Sequence, residues 1–267
     1  MFTISTLKKS RKKMINPQEK QVLSDLVDVV NGLGLPMILI GAGARLIMFD
    51  RQFGEGRTTT DWDVAISIDS WETYRKLRKI LIGGDPPRFK ETSQAQKLIH
   101  IQTDIEVDIV PFGVIGEPDQ QIYWSDSGNI MNVFGFAEAL MSAKTTNIDD
   151  LEIKIIDLPA FVVLKIFAWS DRGDRTKKDL EDIDFILSKY EDDSRVFDEL
   201  AEELANEVVD FLDGNIYLLG RDIYKMLEKK TLYELNIQLK KLIKSLSDEP
   251  QSLGYKLGIL SRGINNS

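Results

Sequence analysis

The chain predicts an α+β fold, a mixed β-sheet with flanking helices followed by a helical C-terminal part. Short apolar runs such as "PMILIGA" and "DVAISI" alternate with amphipathic helical stretches as far as residue 158. Two runs, "KLIHIQ" and "IEVDIVPF", are separated only by Thr103 and Asp104. That spacing reads as a tight hairpin, so the sheet is mixed rather than wholly parallel. From Pro159 onward the apolar patterning is helical. The expected division is an α/β unit over residues 1–158 and a helical unit over residues 159–267.

The elements follow in order. "NPQEKQVLSDLVDVVNGLG" is a helix that Asn16 caps, Pro17 opens and Gly32 or Gly34 ends. "PMILIGA" is a buried strand and "GARLIMFDRQF" a helix. "DVAISI" is a strand, and Ser70 caps the helix "SWETYRKLRKILI". After the hairpin, "IYW", "MNVF" and "LEIKIIDL" are further strand candidates around a short helix, "FAEALMSAK". The C-terminal helices are "PAFVVLKIFAWS", "RTKKDLEDIDFILSKY", "SRVFDELAEELANEVVDFL", "IYLLGRDIYKML" and "TLYELNIQLKKLIKSL". The stripe Phe197, Leu200, Leu204 and Val208 is expected to face the core.

Composition bounds the chemistry. With 267 residues, 43% of them apolar, a sizeable core is expected. There is no cysteine, which excludes disulfides, thiolate metal sites and a cysteine nucleophile. A single histidine, His100, excludes a multi-histidine zinc site. No apolar run has the length of a membrane span, and the N-terminus lacks the apolar stretch of a secretory signal. A cytoplasmic protein with no membrane partner is the expectation. A net charge of −9 argues against a broad basic surface for duplex nucleic acid, although Lys8, Lys9, Arg11, Lys12 and Lys13 form a local basic arm.

Side chains alternate along a strand, so Asp61, Asp63, Ala65 and Ser67 share one face while Trp62, Val64, Ile66 and Ile68 share the other. On "IEVDIV", Glu106 and Asp108 oppose Ile105, Val107 and Ile109 in the same way. If the two strands are neighbours, three carboxylates converge. Oxygen ligands suit hard cations such as Mg²⁺ or Mn²⁺. The pattern by itself also fits a half-exposed strand with a polar face. An EF-hand loop is excluded, because Ile66 stands where that loop needs glycine.

Upstream, "LIGAGARL" reads strand, glycine turn, helix. Such a turn is suited to phosphate, but it is neither a P-loop nor a dinucleotide fingerprint. It also fits a plain connection between strand and helix. Lys165 stands inside the apolar run "FVVLKIFAW" and must meet an anion or reach solvent. The candidates for that anion are Asp179, Asp182 and a phosphate.

In this order, these parts resemble the nucleotidyltransferase fold of the DNA polymerase β superfamily. They are most similar to bacterial nucleotidyltransferases related to the AbiEii-type toxins. The matching stretches are "GAGAR" (41–45), "RTTTDWD" (57–63), "DIVPFG" (108–113), "LKIFAW" (164–169) and "KDLED" (178–182). One departure is Gly41-Ala42, where the superfamily has Gly-Gly or Gly-Ser; Thr58, Thr59 or Thr60 would have to supply the missing hydroxyl.

The resemblance implies a nucleotidyltransferase-type sheet and transfer of an NMP from an NTP to an acceptor hydroxyl. It implies Mg²⁺ or Mn²⁺ held by Asp61, Asp63 and Asp108, with Asp108 also taking the acceptor's proton. Gly41, Ala42, Arg45, Arg57, Thr58, Thr60, Lys165 and Asp179 are implied around the nucleotide, with Arg172 and Lys178 as helpers. The implied acceptor is RNA, a protein or a small molecule of the aminoglycoside kind, and an antitoxin is an implied partner. A non-catalytic nucleotide-binding module on the same fold is the alternative. If the helical part serves the site, a cleft must separate it from the sheet. Its floor would carry Asp61, Asp63 and Asp108, and its roof Lys165.

Overall fold

The computed structural model describes residues 15–50, 61–173, 177–190 and 193–266. Helix α1 (Pro17–Gly32) starts at a reciprocal cap. The Asn16 side chain accepts from the Glu19 N–H at 2.8 Å, and the Glu19 carboxylate accepts from the Asn16 N–H at 2.7 Å. Two donors that the first turn leaves orphaned are thereby satisfied. Strand β1 (Met37–Ile40) runs straight into the five-residue helix α2 (Gly41–Arg45), which continues as one π-helical turn over Leu46–Asp50. The remainder of the helix expected there lies outside the described residues.

Strand β2 (Asp61–Ser67) is followed by α3 (Trp71–Ile82), whose first turn is capped by the Ser70 hydroxyl accepting from the Thr73 N–H at 3.2 Å. Next come β3 (Phe89–Glu91), β4 (Lys97–His100), β5 (Glu106–Phe112), β6 (Gln121–Tyr123) and β7 (Ile130–Asn132). Helix α4 (Phe136–Ser142) then leads to β8 (Lys144–Ile148) and β9 (Leu151–Ile155). The helices after the sheet are α5 (Leu158–Arg172), α6 (Lys178–Leu187), α7 (Asp193–Glu199), α8 (Ala201–Ala205), α9 (Gly214–Met226), α10 (Lys229–Lys244) and α11 (Leu253–Asn265).

The main sheet has the order β3-β4-β5-β2-β1-β9-β8, and β6 with β7 forms a separate ribbon. It is mixed: β2 runs parallel to β5 and antiparallel to β1, and β1 runs parallel to β9. The expected α+β class, mixed sheet and helical C-terminal part are what the structure shows. Strands β3 and β8 were not expected. The first is three residues long and the second, "KTTNI", carries no apolar alternation, so pairing with β4 and β9 makes them strands.

The hairpin between β4 and β5 is looser than the two-residue turn expected. Lys97 pairs with Asp108 and Ile99 with Glu106, which leaves four residues, 101–104, in the loop. Asp104 takes a left-handed φ of 54°, and its N–H donates to the His100 carbonyl at 2.9 Å. His100 is fully buried and locks the loop to α1. One ring nitrogen lies 2.9 Å from the Thr103 hydroxyl and the other 3.0 Å from the Asp25 carboxylate.

The helix expected over "SRVFDELAEELANEVVDFL" is broken. Leu200 leaves helical geometry at φ −117°, ψ 19°, and Glu207 turns left-handed at φ 55°. The 3.6-residue phase is lost, so the apolar stripe does not face the core as a unit. Leu200 is buried and Leu204 half-buried, but Phe197 and Val208 are 57% and 37% exposed. Phe197 stacks instead on Phe211, with ring centroids 4.8 Å apart.

Candidate active site

Parallel pairing of β2 with β5 sets Asp61 opposite Glu106 and Asp63 opposite Asp108. Neighbouring strands lie ~4.8 Å apart, so Asp63 and Asp108 project side by side from one face. The alternation behind them is core: Trp62, Val64, Val107 and Ile109 are at most 1% exposed.

The glycine turn closes over this face. Ile40, the last residue of β1, pairs with Asp63, so the chain turns at Gly41 directly above that carboxylate. Gly41 has φ +64°, and a Cβ there would stand 2.1 Å from Asp63 Oδ2. Both the left-handed backbone and the close approach require glycine. Two residues on, a Cβ at Gly43 would meet the Trp62 ring at 2.4 Å, so α2 lies tight against β2.

The helical side contributes a charge network. Asp179 and Asp182 lie three residues apart and share a face of α6; Lys165 and Arg172 lie two turns apart on α5. Lys165 Nζ is 2.9 Å from Asp179 Oδ1 and 2.8 Å from Asp182 Oδ2. Arg172 reaches Asp179 Oδ2 at 3.3 Å, and Arg45 reaches Asp182 Oδ1 at 2.7 Å. Asp179 and Asp182 are 1% and 5% exposed. Buried carboxylates need such partners, and here three cations face two of them.

Sheet and helices meet across one cleft of about 290 Å³. Gly41, Ala42, Asp61, Asp63 and Asp108 line it from the sheet, and Lys165, Arg172, Lys178, Asp179 and Asp182 from the helices. Burial, then the charges of Asp108 and Asp61, push the Asp63 carboxyl up to about 6. Burial also raises Asp108, against the opposing charge of Lys97. One oxygen of Asp108, Oδ1, is buried without a hydrogen-bond partner.

Not every residue singled out from the sequence reaches the cleft. Arg45 does not line it: the residue is 8% exposed, and its guanidinium is held by Asp182 and placed over the Phe185 ring at 5.6 Å. Its four-residue offset from Gly41 carries it past the turn and into the packing between α2 and α6. Asp179 lines the cleft, but its two oxygens are engaged by Lys165 and Arg172, so it positions cations. Arg57, Thr58, Thr59 and Thr60 lie outside the described residues.

Lys97 was missed in the sequence. Its ammonium bonds the Glu106 carboxylate and lies 3.6 Å from Asp108 Oδ2. Burial opposes its charge, but Glu106 and Asp108 outweigh burial and raise it. The signal was present in "QKLIHIQ", but a two-residue turn would have set Lys97 opposite Val110 rather than Asp108.

The donor set of this face is oxygen only. Among the described residues no group of three or more His, Asp or Glu side chains is gathered closely enough to hold a metal ion. The orphaned Asp108 oxygen and the raised Asp63 carboxyl nevertheless fit a hard cation, which would satisfy the first and relieve the repulsion that contributes to the second.

No protein-family model matches the chain, and no curated protein matches it. Among solved structures it is similar to an antigenic nucleotidyltransferase-like protein from Paracoccidioides brasiliensis, at 18% identity and TM-score 0.49, over 91% of this chain and 93% of that one. It is also similar to the CdnE cyclic dinucleotide synthase of Elizabethkingia meningoseptica, solved with GTP and Apcpp, at 12% identity and TM-score 0.28, over 92% and 91% of the two chains. A tRNA-processing enzyme in an apo form follows at 16% identity and TM-score 0.22, over 89% of this chain and 74% of that one. At such identities and TM-scores no residue role carries over from them.

Proposed function

We propose that this protein is a metal-dependent nucleotidyltransferase that moves an NMP from an NTP to an acceptor hydroxyl. The observation that carries the reading is the register that sets Asp63 beside Asp108, under a glycine turn and across one cleft from Lys165. Asp61, Asp63 and Asp108 would hold Mg²⁺ or Mn²⁺, which would supply charge neutralisation for the triphosphate and for the entering and leaving oxygens. The chain's own groups do the rest. Lys165 and Arg172 face the cleft, and with Arg45 they outnumber Asp179 and Asp182 by one charge, so they can hold phosphate oxygens. The turn at Gly41, where a side chain would collide with Asp63, keeps backbone close to the carboxylate floor, where its N–H groups can approach the nucleotide. The acceptor oxygen bonds to the α-phosphorus, the bond from that phosphorus to the pyrophosphate oxygen breaks, and Asp108 takes the hydroxyl proton.

For the acceptor, the observation points to RNA. Lys229, Lys240, Lys241 and Lys244 are exposed on one face of α10, about 120° wide at 100° per residue. Tyr233, 68% exposed, lies among them as a surface on which a base can stack. Lys230 anchors the start of this helix by donating to the Pro118 carbonyl at 2.7 Å. On a chain of net charge −9, such a concentrated basic stripe fits a polyanion. An AbiEii-like toxin acting on RNA, with an antitoxin as its natural partner, is the setting this reading implies.

The second reading is a nucleotide-binding module without turnover. It is favoured by Ala42, which lacks the usual hydroxyl, and by carboxylates that do not gather into a ligand group. Incubating the protein with each labelled NTP, Mg²⁺ and total cell RNA separates the two. Label on RNA that disappears in Asp63→Asn supports transfer. NTP binding without label transfer to RNA, protein or small molecules supports the module.

A further inference from the structure

We propose that Lys97 is a built-in counter-ion of the carboxylate face, a positioning residue that holds Asp108 by Oδ2 and opposes a divalent cation drawn to the same carboxylate. The inference rests on the metal-dependent reading above and names a residue that tunes it. Lys97 stands directly opposite Asp108 across the β4–β5 ladder. Its ammonium bonds Glu106 and lies 3.6 Å from Asp108 Oδ2, leaving Oδ1 buried and unpartnered. The Lys97 side chain is only 19% exposed. Its position is thus set by the acidic groups around it.

The geometry divides the work of the Asp108 carboxylate. One oxygen lies near the lysine, and the other is buried without a hydrogen-bond partner. Three aspartates and Glu106 on two adjacent strands repel one another, and Lys97 is the cation placed against the outer two. A dication drawn to Asp108 arrives beside a charge of its own sign. Lysine suits this place because it is a point charge on a flexible stem. With Glu106 as a second partner it can withdraw from Asp108 without losing its own pairing.

A bracing residue and a competing counter-ion differ in the sign of one measurement. The probe is Mn²⁺ alone, titrated into the full chain without nucleotide and followed by the signal of the free ion. Lys97→Met is expected to bind Mn²⁺ about tenfold more tightly than wild type, the effect of removing a unit charge a few ångströms from a dication. Lys97→Arg, which keeps the charge, is expected to stay near wild type. Without metal the melting temperature of Lys97→Met falls, and saturating Mn²⁺ raises it by more than in wild type. Unchanged or weaker Mn²⁺ binding in Lys97→Met overturns the proposal and leaves Lys97 as a brace for Glu106. If Lys97→Met does not fold, Lys97→Gln carries the same expectation and the same overturning result. Wild type that never saturates with Mn²⁺ overturns the metal reading itself. Wild type that saturates, with no shift in the variant, overturns only the role of Lys97.

Discussion

Gly41 sits so close to Asp63 that a Cβ on it would lie 2.1 Å from the carboxylate oxygen, and its φ of +64° belongs to glycine. The turn is therefore shaped by the carboxylate it covers. Gly41→Ala is expected to destabilise the fold by roughly 1–3 kcal/mol from backbone strain, and by more from the collision. Displacing Asp63 should also lower nucleotidyl transfer. Urea unfolding and transfer assays on one preparation check both. Wild-type stability would show that the turn and Asp63 are not in contact.

The metal-free protein carries a pH signature from Asp63. Its carboxyl rises from an ordinary 3.8 to about 6 in the fold. Between those values the folded chain binds more protons than the unfolded one, so stability falls as pH rises through that window. The penalty is absent below the ordinary value and fully present above the raised one. At 1.36 kcal/mol per pH unit it is roughly 3 kcal/mol at most. Asp63→Asn without metal should melt higher than wild type near pH 7.5, with the gap closing toward pH 4. Thermal melts across pH test this, and a variant less stable at pH 7.5 contradicts it.

Lys165 serves two carboxylates that are almost wholly buried. Lys165→Met keeps the stem and removes the charge, which leaves Asp179 with Arg172 and Asp182 with Arg45. Breaking a buried pair from one side typically costs about 3–5 kcal/mol; the remaining arginines should hold the loss to roughly half of that. NTP affinity should fall as well. Adding Asp179→Asn to Lys165→Met should recover part of the stability but not NTP affinity, because Arg172, which Asp179 leaves, is half exposed while Arg45 keeps Asp182; denaturation and equilibrium binding read the two. Recovery of both would mean that Lys165 only braces helices.

The broken helix after α6 predicts unequal costs along one apolar stripe. Leu200→Ala should cost about 2–5 kcal/mol, because the side chain is fully buried. Phe197→Ser should cost well under that, since Phe197 is 57% exposed and rests on Phe211 alone among aromatic partners described. Denaturant midpoints of the two variants decide it, and similar losses would restore the continuous helix.

Local patterning was enough to read the α+β class, the strands β2 and β5 and the caps at Asn16 and Ser70. Periods of two and 3.6 residues, and the side chains that close a first turn, are properties of short segments. The carboxylates Asp61, Asp63 and Asp108 and the out-of-place Lys165 were legible for the same reason: each breaks or completes an apolar pattern visible within ten residues. Whether they meet was not legible. The parallel register of β2 on β5, the four-residue loop that brings Lys97 to Asp108, and the capture of Arg45 by Asp182 all join segments distant in the chain. So do β3 and β8, which are strands only because β4 and β9 offer them hydrogen bonds. Register and burial are settled by contacts between elements, and no local pattern carries that information. The break at Leu200 belongs with them. Its segment has unbroken helical periodicity, and only packing within the helical part decides which of those apolar side chains is buried.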